Sequence, residues 1–425
     1  MKKILWLMLS LIALLAMVAC TQPVAAAELK SDKPRETSPA VTEEDLNTLV
    51  KGNSAFALNL YQLLAQNDGN LFYSPYSISE ALAMTWGGAR GETETQMAAA
   101  MQFLLAQDKL HPAFNGLDIE LAKRGENAQG TDGKGFRLNV VNALWGQKNF
   151  SFNDDYLDLL AQNYGAGMRI VDYINATEEA RQTINTWVAE QTEQKIKDLI
   201  PQGSLDTLTR LVLTNAIYFN AAWASQFEEA MTQDGPFYLL NGESVTVPLM
   251  HQQDTFKYAE GDGYQGVALP YDGNQLSMVI LLPAEGQFET FEASLDSTRL
   301  ATILDSLKTA EVNLALPKFQ FDSEFSLKQA LTNLGMANAF SESEADFSGM
   351  DGQKDLYITD VIHKAYVSVD ENGTEAAAAS GVIMGVTSMP LEVQEMQIDR
   401  PFIFLIRDNP TGSILFMGRV LNPEE

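Results

Sequence analysis

Three histidines, His111, His251 and His363, and one cysteine, Cys20, are the side chains whose ordinary chemistry lies near neutral pH. Catalysis by a nucleophile, a metal or an acid–base pair would need them in recognisable company. The chain holds no HExxH, no GxSxG elbow, no Walker loop and no GxGxxG following a strand. Its 56 Asp and Glu residues place carboxylate pairs almost everywhere, so such a pair does not by itself indicate a glycosidase. Each histidine reads as a hydrogen-bonded structural residue, and no enzyme reading rises above background. The stretch that asks for an explanation is "ENGTEAAAASGVIMGVTSMP", residues 371–390. A buried strand would carry larger side chains there, and a disordered linker would carry more charge.

The elements around it have clear periodicities. In "SAFALNLYQLLAQ", Phe56, Leu60 and Leu63 share a helical face, as do Ala180, Ile184, Trp187 and Val188 further on, with Thr177 as the expected cap. "LSMVILLP" (276–283) is a continuous apolar run expected to be a strand buried on both faces. Val312, Leu314 and Leu316 alternate on one side of another strand. "PFIFLIRDNPTGSILFMGRVL" reads as two strands joined by a turn at Asp-Asn-Pro-Thr-Gly. Helices first and strands later, without a βαβ rhythm, predict an α+β fold.

The N-terminus "MKKILWLMLSLIALLAMVAC" pairs two lysines with an apolar core and a small residue before Cys20, the pattern of a secretory signal over residues 1–19. A lone cysteine directly after it is expected to be lipidated, plain secretion being the alternative. Residues 20–43 then read as the lipidated Cys and a Pro-, Ala- and charge-rich tether holding the body, residues 44–425, roughly 25 Å from its anchor. The folded body carries no thiol, which excludes disulfides and thiolate chemistry there. A formal net charge of −28 argues against nucleic acid and anionic surfaces as partners.

Several long segments in order resemble the serpin family of suicide-substrate serine protease inhibitors: "NLFYSPYSISEALAMTWGGARGETETQM", "INTWVAEQTEQKIKDLIP", "LVLTNAIYFNAAWASQF", "HKAYVSVDENGTEAAAAS" and "DRPFIFLIRDNPTGSILFMGRV". The resemblance covers residues from about 47 to 423. It implies three β-sheets, about eight or nine helices, a metastable native state and an exposed reactive loop at about 372–391. It also implies that a target protease cuts the loop, forms an acyl-enzyme, and is trapped when the loop inserts into the main sheet.

The quoted stretch suits that fate. From Thr374, alternate residues are Thr374, Ala376, Ala378, Ser380, Val382 and Met384, all uncharged and small at the leading end, as an inward-facing row requires. Slipping by one residue would bury Glu375. The hinge is therefore expected over Glu371, Gly373, Thr374, Glu375 and Ala376, Ala377, Ala378 and Ala379, with Gly373 as the bend. The family's spacing places the reactive bond at Thr387–Ser388, with Val386–Thr387 and Met384–Gly385 as alternatives. No Lys or Arg lies between Glu375 and Arg400, so a trypsin-like pocket has nothing to bind. Elastase- or subtilisin-like serine proteases, or papain-like cysteine proteases, fit better.

The resemblance also assigns Ser74, Ser77, Asn215 and His363 to the polar "shutter" beneath the main sheet. It assigns Trp223, Lys318 and Glu371 to the "breach" where the loop first enters. No cofactor, metal or polyanion is expected. The expected partner is the target protease, held covalently by a monomeric inhibitor. The chain is expected outside the cytoplasm, in the periplasm or extracellular space, touching membrane only through its lipid. A non-inhibitory serpin serving as a binding module is the alternative.

Overall fold

The structure is a computed structural model that describes residues 26–126, 128, 136–374 and 393–424. Two hydrogen-bonded sheets organise it. The main sheet runs in the order β1 (Ala27–Leu29), β4 (Met168–Val171), β3 (Arg137–Gln147), β5 (Leu211–Ala222), β13 (Gly373–Thr374), β12 (Ile358–Asp370) and β11 (Phe319–Ser326). The second contains β14 (Gln394–Gln397), β10 (Lys308–Pro317), β7 (Ser244–Gly261), β8 (Tyr264–Pro270), β9 (Leu276–Pro283), β15 (Phe402–Asp408), β16 (Ile414–Val420) and β2 (Leu71–Tyr73). β6 (Gln233–Tyr238) branches from β7.

Where three sheets were expected, hydrogen bonding joins two of them into one. The cause is β7, which spans 18 residues without a break. Its first residues pair with β6, Leu249–Tyr258 with β10, and its last five residues with β8. β9 is buried at every position, because β8 and β15 flank it and both its faces are covered.

Ten α-helices occur among the described residues, against the eight or nine expected. Six are long: α1 (Glu43–Leu64), α2 (Pro75–Trp86), α3 (Gly91–Met101), α4 (Gln107–Ala122), α5 (Asp154–Tyr164) and α6 (Thr177–Gln191). The short ones are α7 (Phe288–Ala293), α8 (Ser297–Ser306), α9 (Lys328–Asn333) and α10 (Ser348–Asp351). Thr42 caps α1 through the Asp45 amide, and Ser74 caps α2 through the Ser77 amide. Thr177 is not the cap expected of it: it is already the first helical residue, and its hydroxyl donates to the Tyr173 carbonyl. No described helix is long and apolar enough to cross a membrane.

Two cores result. The larger lies behind the main sheet among α1, α2 and the second sheet. The smaller lies in front, where Ile184 and Val188 of α6 cover Val141, Ala143 and Trp145 of β3 and Val212 of β5. Trp187 meets Trp145 edge-on at 5.4 Å. A strand inserted beside β5 would have to pass under this helix.

The stretch expected as an unstructured tether is partly something else. From residue 26 onward it lies along the body: β1 extends the main sheet antiparallel to β4, and Arg35 pairs with Asp118 on α4 at 2.6 Å. Its charged residues have specific partners, which composition does not reveal. Cys20 lies outside the described residues.

Candidate functional site: the seam between β5 and β12

β5 and β12 run parallel and pair directly from Leu211–Ile217 to Ile358–Ala365. Above that ladder, residues 218–220 and 366–368 face one another without ladder pairing. At the top the chain turns after β12, and Gly373 and Thr374 fit between the two strands. They pair with Asp370 and Val369 on one side and with Ala222 and Ala221 on the other. The seam is thus closed by direct pairing through the level of His363 and Asn215, lacks β5–β12 ladder pairs only above Ile217 and Ala365, and is already occupied at its upper end by the first two residues of the small-residue stretch.

Gly373 is required by crowding. A Cβ there would stand 2.2 Å from the Ala221 carbonyl oxygen and 2.7 Å from the Ala222 Cα, and both contacts are backbone. Thr374 is 1% exposed and its hydroxyl lies 2.7 Å from the Tyr271 hydroxyl. Tyr271 stacks on Trp223 at 4.7 Å. The Trp223 indole N–H donates to the Asp370 carbonyl and its backbone N–H to that of Asn372, both at 2.9 Å. Glu371 accepts from Lys318 at 2.7 Å and from Thr232 at 2.8 Å. Burial pushes the Glu371 carboxyl up, but the Lys318 and Thr232 bonds outweigh it and hold the group below its ordinary value. Lys318 stays 37% exposed while Glu371 is 7% exposed, so solvent screens one end of the pair.

Trp223, Lys318 and Glu371 therefore meet at one point, together with two residues the sequence did not single out, Tyr271 and Thr232. Tyr271 follows the apolar β8 in "VALPYDGN" and looks like any strand-end aromatic. Thr232 sits in a polar turn with no pattern of its own. Glu375, Ala376, Ala377, Ala378, Ala379, Met384, Val386, Thr387 and Ser388 lie outside the described residues.

Lower in the seam, Ser74, Ser77, Asn215 and His363 are brought together and buried. His363 and Asn215 are register partners across the β5–β12 boundary. The Ser74 amide donates to His363 Nε2 at 3.2 Å. That fixes the tautomer: Nδ1 carries the proton and donates to Asn215 Oδ1. Burial lowers the His363 pKa to about 3, so the ring is neutral. Asn215 Nδ2 donates to Ser77 Oγ at 2.5 Å and also to Asn142 Oδ1. Asn142 Nδ2 donates to the Ser77 carbonyl at 3.1 Å and to Glu80 Oε2 at 2.8 Å.

Asn142 and Glu80 extend this network beyond the four residues read from the sequence. Both carried a signal: an Asn flanked by apolar residues in "VVNALWG", and a carboxylate inside a helix whose other residues are all small or apolar enough to bury. A strand entering this level must separate His363 from Asn215, because no space lies between paired neighbours. The other histidines form no catalytic set. His111 is buried against Trp86 with Nδ1 2.7 Å from the Tyr164 hydroxyl, and His251 lies on β7 opposite Ala315. Among the described residues, no group of three or more His, Cys, Asp or Glu is arranged to hold a metal.

A two-sheet α+β body with a partly filled seam in its main sheet is the architecture of one family. The family description "Serpin (serine protease inhibitor)" matches residues 51–423. An uncharacterised serpin-like protein of Thermococcus kodakarensis is 40% identical, over 93% of this chain and 90% of its own. Leukocyte elastase inhibitor A of Mus musculus is 39% identical, over 89% of this chain and all of its own. Human thyroxine-binding globulin, solved with its hormone, superposes with a TM-score of 0.80 at 32% identity, over 90% of this chain and 100% of that one. The chain belongs to the serpin family.

Proposed function

We propose that the chain is an irreversible suicide-substrate inhibitor of serine proteases. A protease of elastase- or subtilisin-like pocket, or a papain-like cysteine protease, cuts the loop after Met384, Val386 or Thr387. The freed segment then threads into the β5–β12 seam before the acyl-enzyme hydrolyses. The observation that carries this reading is the state of Thr374. The first residue of the uncharged alternating row is buried between β5 and β12, with its side chain toward Tyr271. Insertion continues a ladder already begun, so its first step needs no new nucleus. The likeness to leukocyte elastase inhibitors supports the pocket preference.

The same reading places the protein outside the cytoplasm as a monomer, released or held by a lipid on Cys20. With residues 26–42 docked on the body, only residues 20–25 would remain as tether. Six residues reach at most about 20 Å, less than the roughly 25 Å expected of a flexible 24-residue coil.

The deciding experiment mixes the protein with pancreatic elastase and with subtilisin. A covalent complex that survives SDS, with a cut mapped by mass between Met384 and Ser388, is the expected result. Cleavage with no complex would overturn it. That outcome would favour a binding serpin that does not inhibit, a reading motivated by the likeness to a hormone-binding globulin.

A further inference from the structure

The segment 26–42 is docked on the body largely through charged residues. Its outer part pairs β1 with β4, setting Glu28 opposite Arg169. Arg169 in turn lies over the Trp187 ring of α6 at 4.3 Å. Further along, Lys33 pairs with Asp158 at 2.6 Å, and the Glu36 amide donates to the Gln162 carbonyl. Between them Arg35 turns inward, donating to Asn115 Oδ1 at 2.8 Å and to Asp118 Oδ2 at 2.6 Å.

Asp118 is one of two acids here. The other is Glu80 on α2, which is buried and holds the Asn142 end of the seam network. The Glu80 pKa is raised to about 8, by burial first and by the Asp118 charge second, with the Asn142 bond and Arg35 opposing both. The groups facing this carboxyl are Tyr76 on its own helix, Asp118 on α4, Tyr164 on α5 and Arg35 on the docked segment. Arg35 is the cation among them. Both tyrosines are held neutral by burial, far above their ordinary pKa.

We propose that Arg35 is the counter-charge of the Glu80–Asp118 acid pair, and that through Glu80, Asn142 and Asn215 the docked N-terminal segment holds the β5–β12 seam closed. When Glu80 is ionised, loss of Arg35 leaves its charge and that of Asp118 to repel each other between α2 and α4. A proton on Glu80 relieves this at lower pH; above its titration the relief is movement of α2 away from Asn142, which frees the bond network that crosses the seam. When Glu80 carries its proton the demand disappears, so the segment's grip on the seam strengthens as pH rises through the Glu80 titration.

This inference rests on the metastability implied by the proposed function, but its test needs no protease. The readout is the lifetime of the native full-length protein at fixed elevated temperature, followed by native gel and tryptophan fluorescence. Arg35→Met is expected to shorten that lifetime about five- to tenfold at pH 9 and less than about twofold at pH 6. Adding Glu80→Gln to Arg35→Met should restore it at pH 9 to within about twofold. An Arg35→Met effect equal at both pH values, or one that Glu80→Gln does not rescue, means the segment acts by packing alone and overturns the proposal. If Arg35→Met does not fold, Glu80→Gln alone decides. It should flatten the fall in wild-type lifetime between pH 6 and pH 9, and an unchanged pH profile overturns the proposal. Failure to trap elastase together with the expected lifetimes would count against the inhibitor reading and leave this one standing.

Discussion

The two ends of the seam are held by different physics. At the top, Glu371 and Lys318 form a charged pair open to solvent on one side, next to the Trp223–Tyr271 stack. In the middle, His363, Asn215, Ser74, Ser77 and Asn142 are linked by hydrogen bonds between neutral groups. An exposed ion pair resists separation weakly and is screened by salt. A buried network resists strongly and all at once, because a half-satisfied member bears the full desolvation cost. The seam is therefore graded: the end where the loop begins yields easily, and the level below yields only when a new strand can replace the lost contacts. Such grading suits the proposed function, in which the sheet stays shut until the loop is cut.

The largest effect should come from closing the top to insertion. Thr374→Arg would push a charge into the space now filled by a buried hydroxyl beside Tyr271. Inhibition of elastase, read as the yield of SDS-stable complex, should fall about a hundredfold or more while cleavage continues. Complex formation at wild-type yield would show that this row does not face inward.

Next comes the middle. Asn215→Ala would strip partners from His363 Nδ1–H, Ser77 and Asn142 together. The native form should lose about 2–4 kcal/mol against urea. A loss below about 1 kcal/mol would make the two ends equal and remove the gradient.

The middle should also betray itself by pH. His363 titrates at about 3 in the native protein, below its unfolded value near 6.5. The unfolded chain therefore binds the extra proton first. The contribution is whole above pH 6.5 and is lost as pH falls toward 3, with a slope of up to about 1.4 kcal/mol per pH unit. His111 is also lowered to about 3 by burial, so it adds a second slope over the same window. Replacing His363 with Gln should remove roughly half of the combined slope in urea titrations between pH 6.5 and 4.

Smaller effects belong to the top. Lys318→Glu would face Glu371 with a like charge and is expected to cost about 1–2 kcal/mol, seen as polymer on native gels after mild heating. Monomer yield and inhibition equal to wild type would remove that pair from the account. Thr232→Val deletes one hydrogen bond to Glu371 and should cost about 0.5–1 kcal/mol.

Much of this was legible in the chain because the demands on it are periodic. The alternation beginning at Thr374 fixes which side chains can enter a sheet, and Thr374 itself points inward. The apolar run 276–283 predicts a strand with two covered faces, and β9 is one. Ser74, Ser77, Asn215 and His363 were readable from a family resemblance, since four polar residues far apart in sequence announce nothing by spacing. What stayed hidden is held by pairings that leave no period. Residues 26–42 look like a tether because Lys33, Arg35 and Glu36 are charged, yet those charges and backbone groups are what dock the segment. The joining of two sheets into one was hidden for a related reason: nothing in "SVTVPLMHQQDTFKYAEG" marks where β7 leaves one set of partners for another.

β1 has a consequence for self-association. An outermost strand offers a row of free amides and carbonyls to any passing chain. Here the rim beyond β4 is taken by three residues, one of them Glu28, next to Lys30. So short and charged a border is a poor template for further growth. Pairing of molecules by strand addition is therefore disfavoured at this margin of the main sheet.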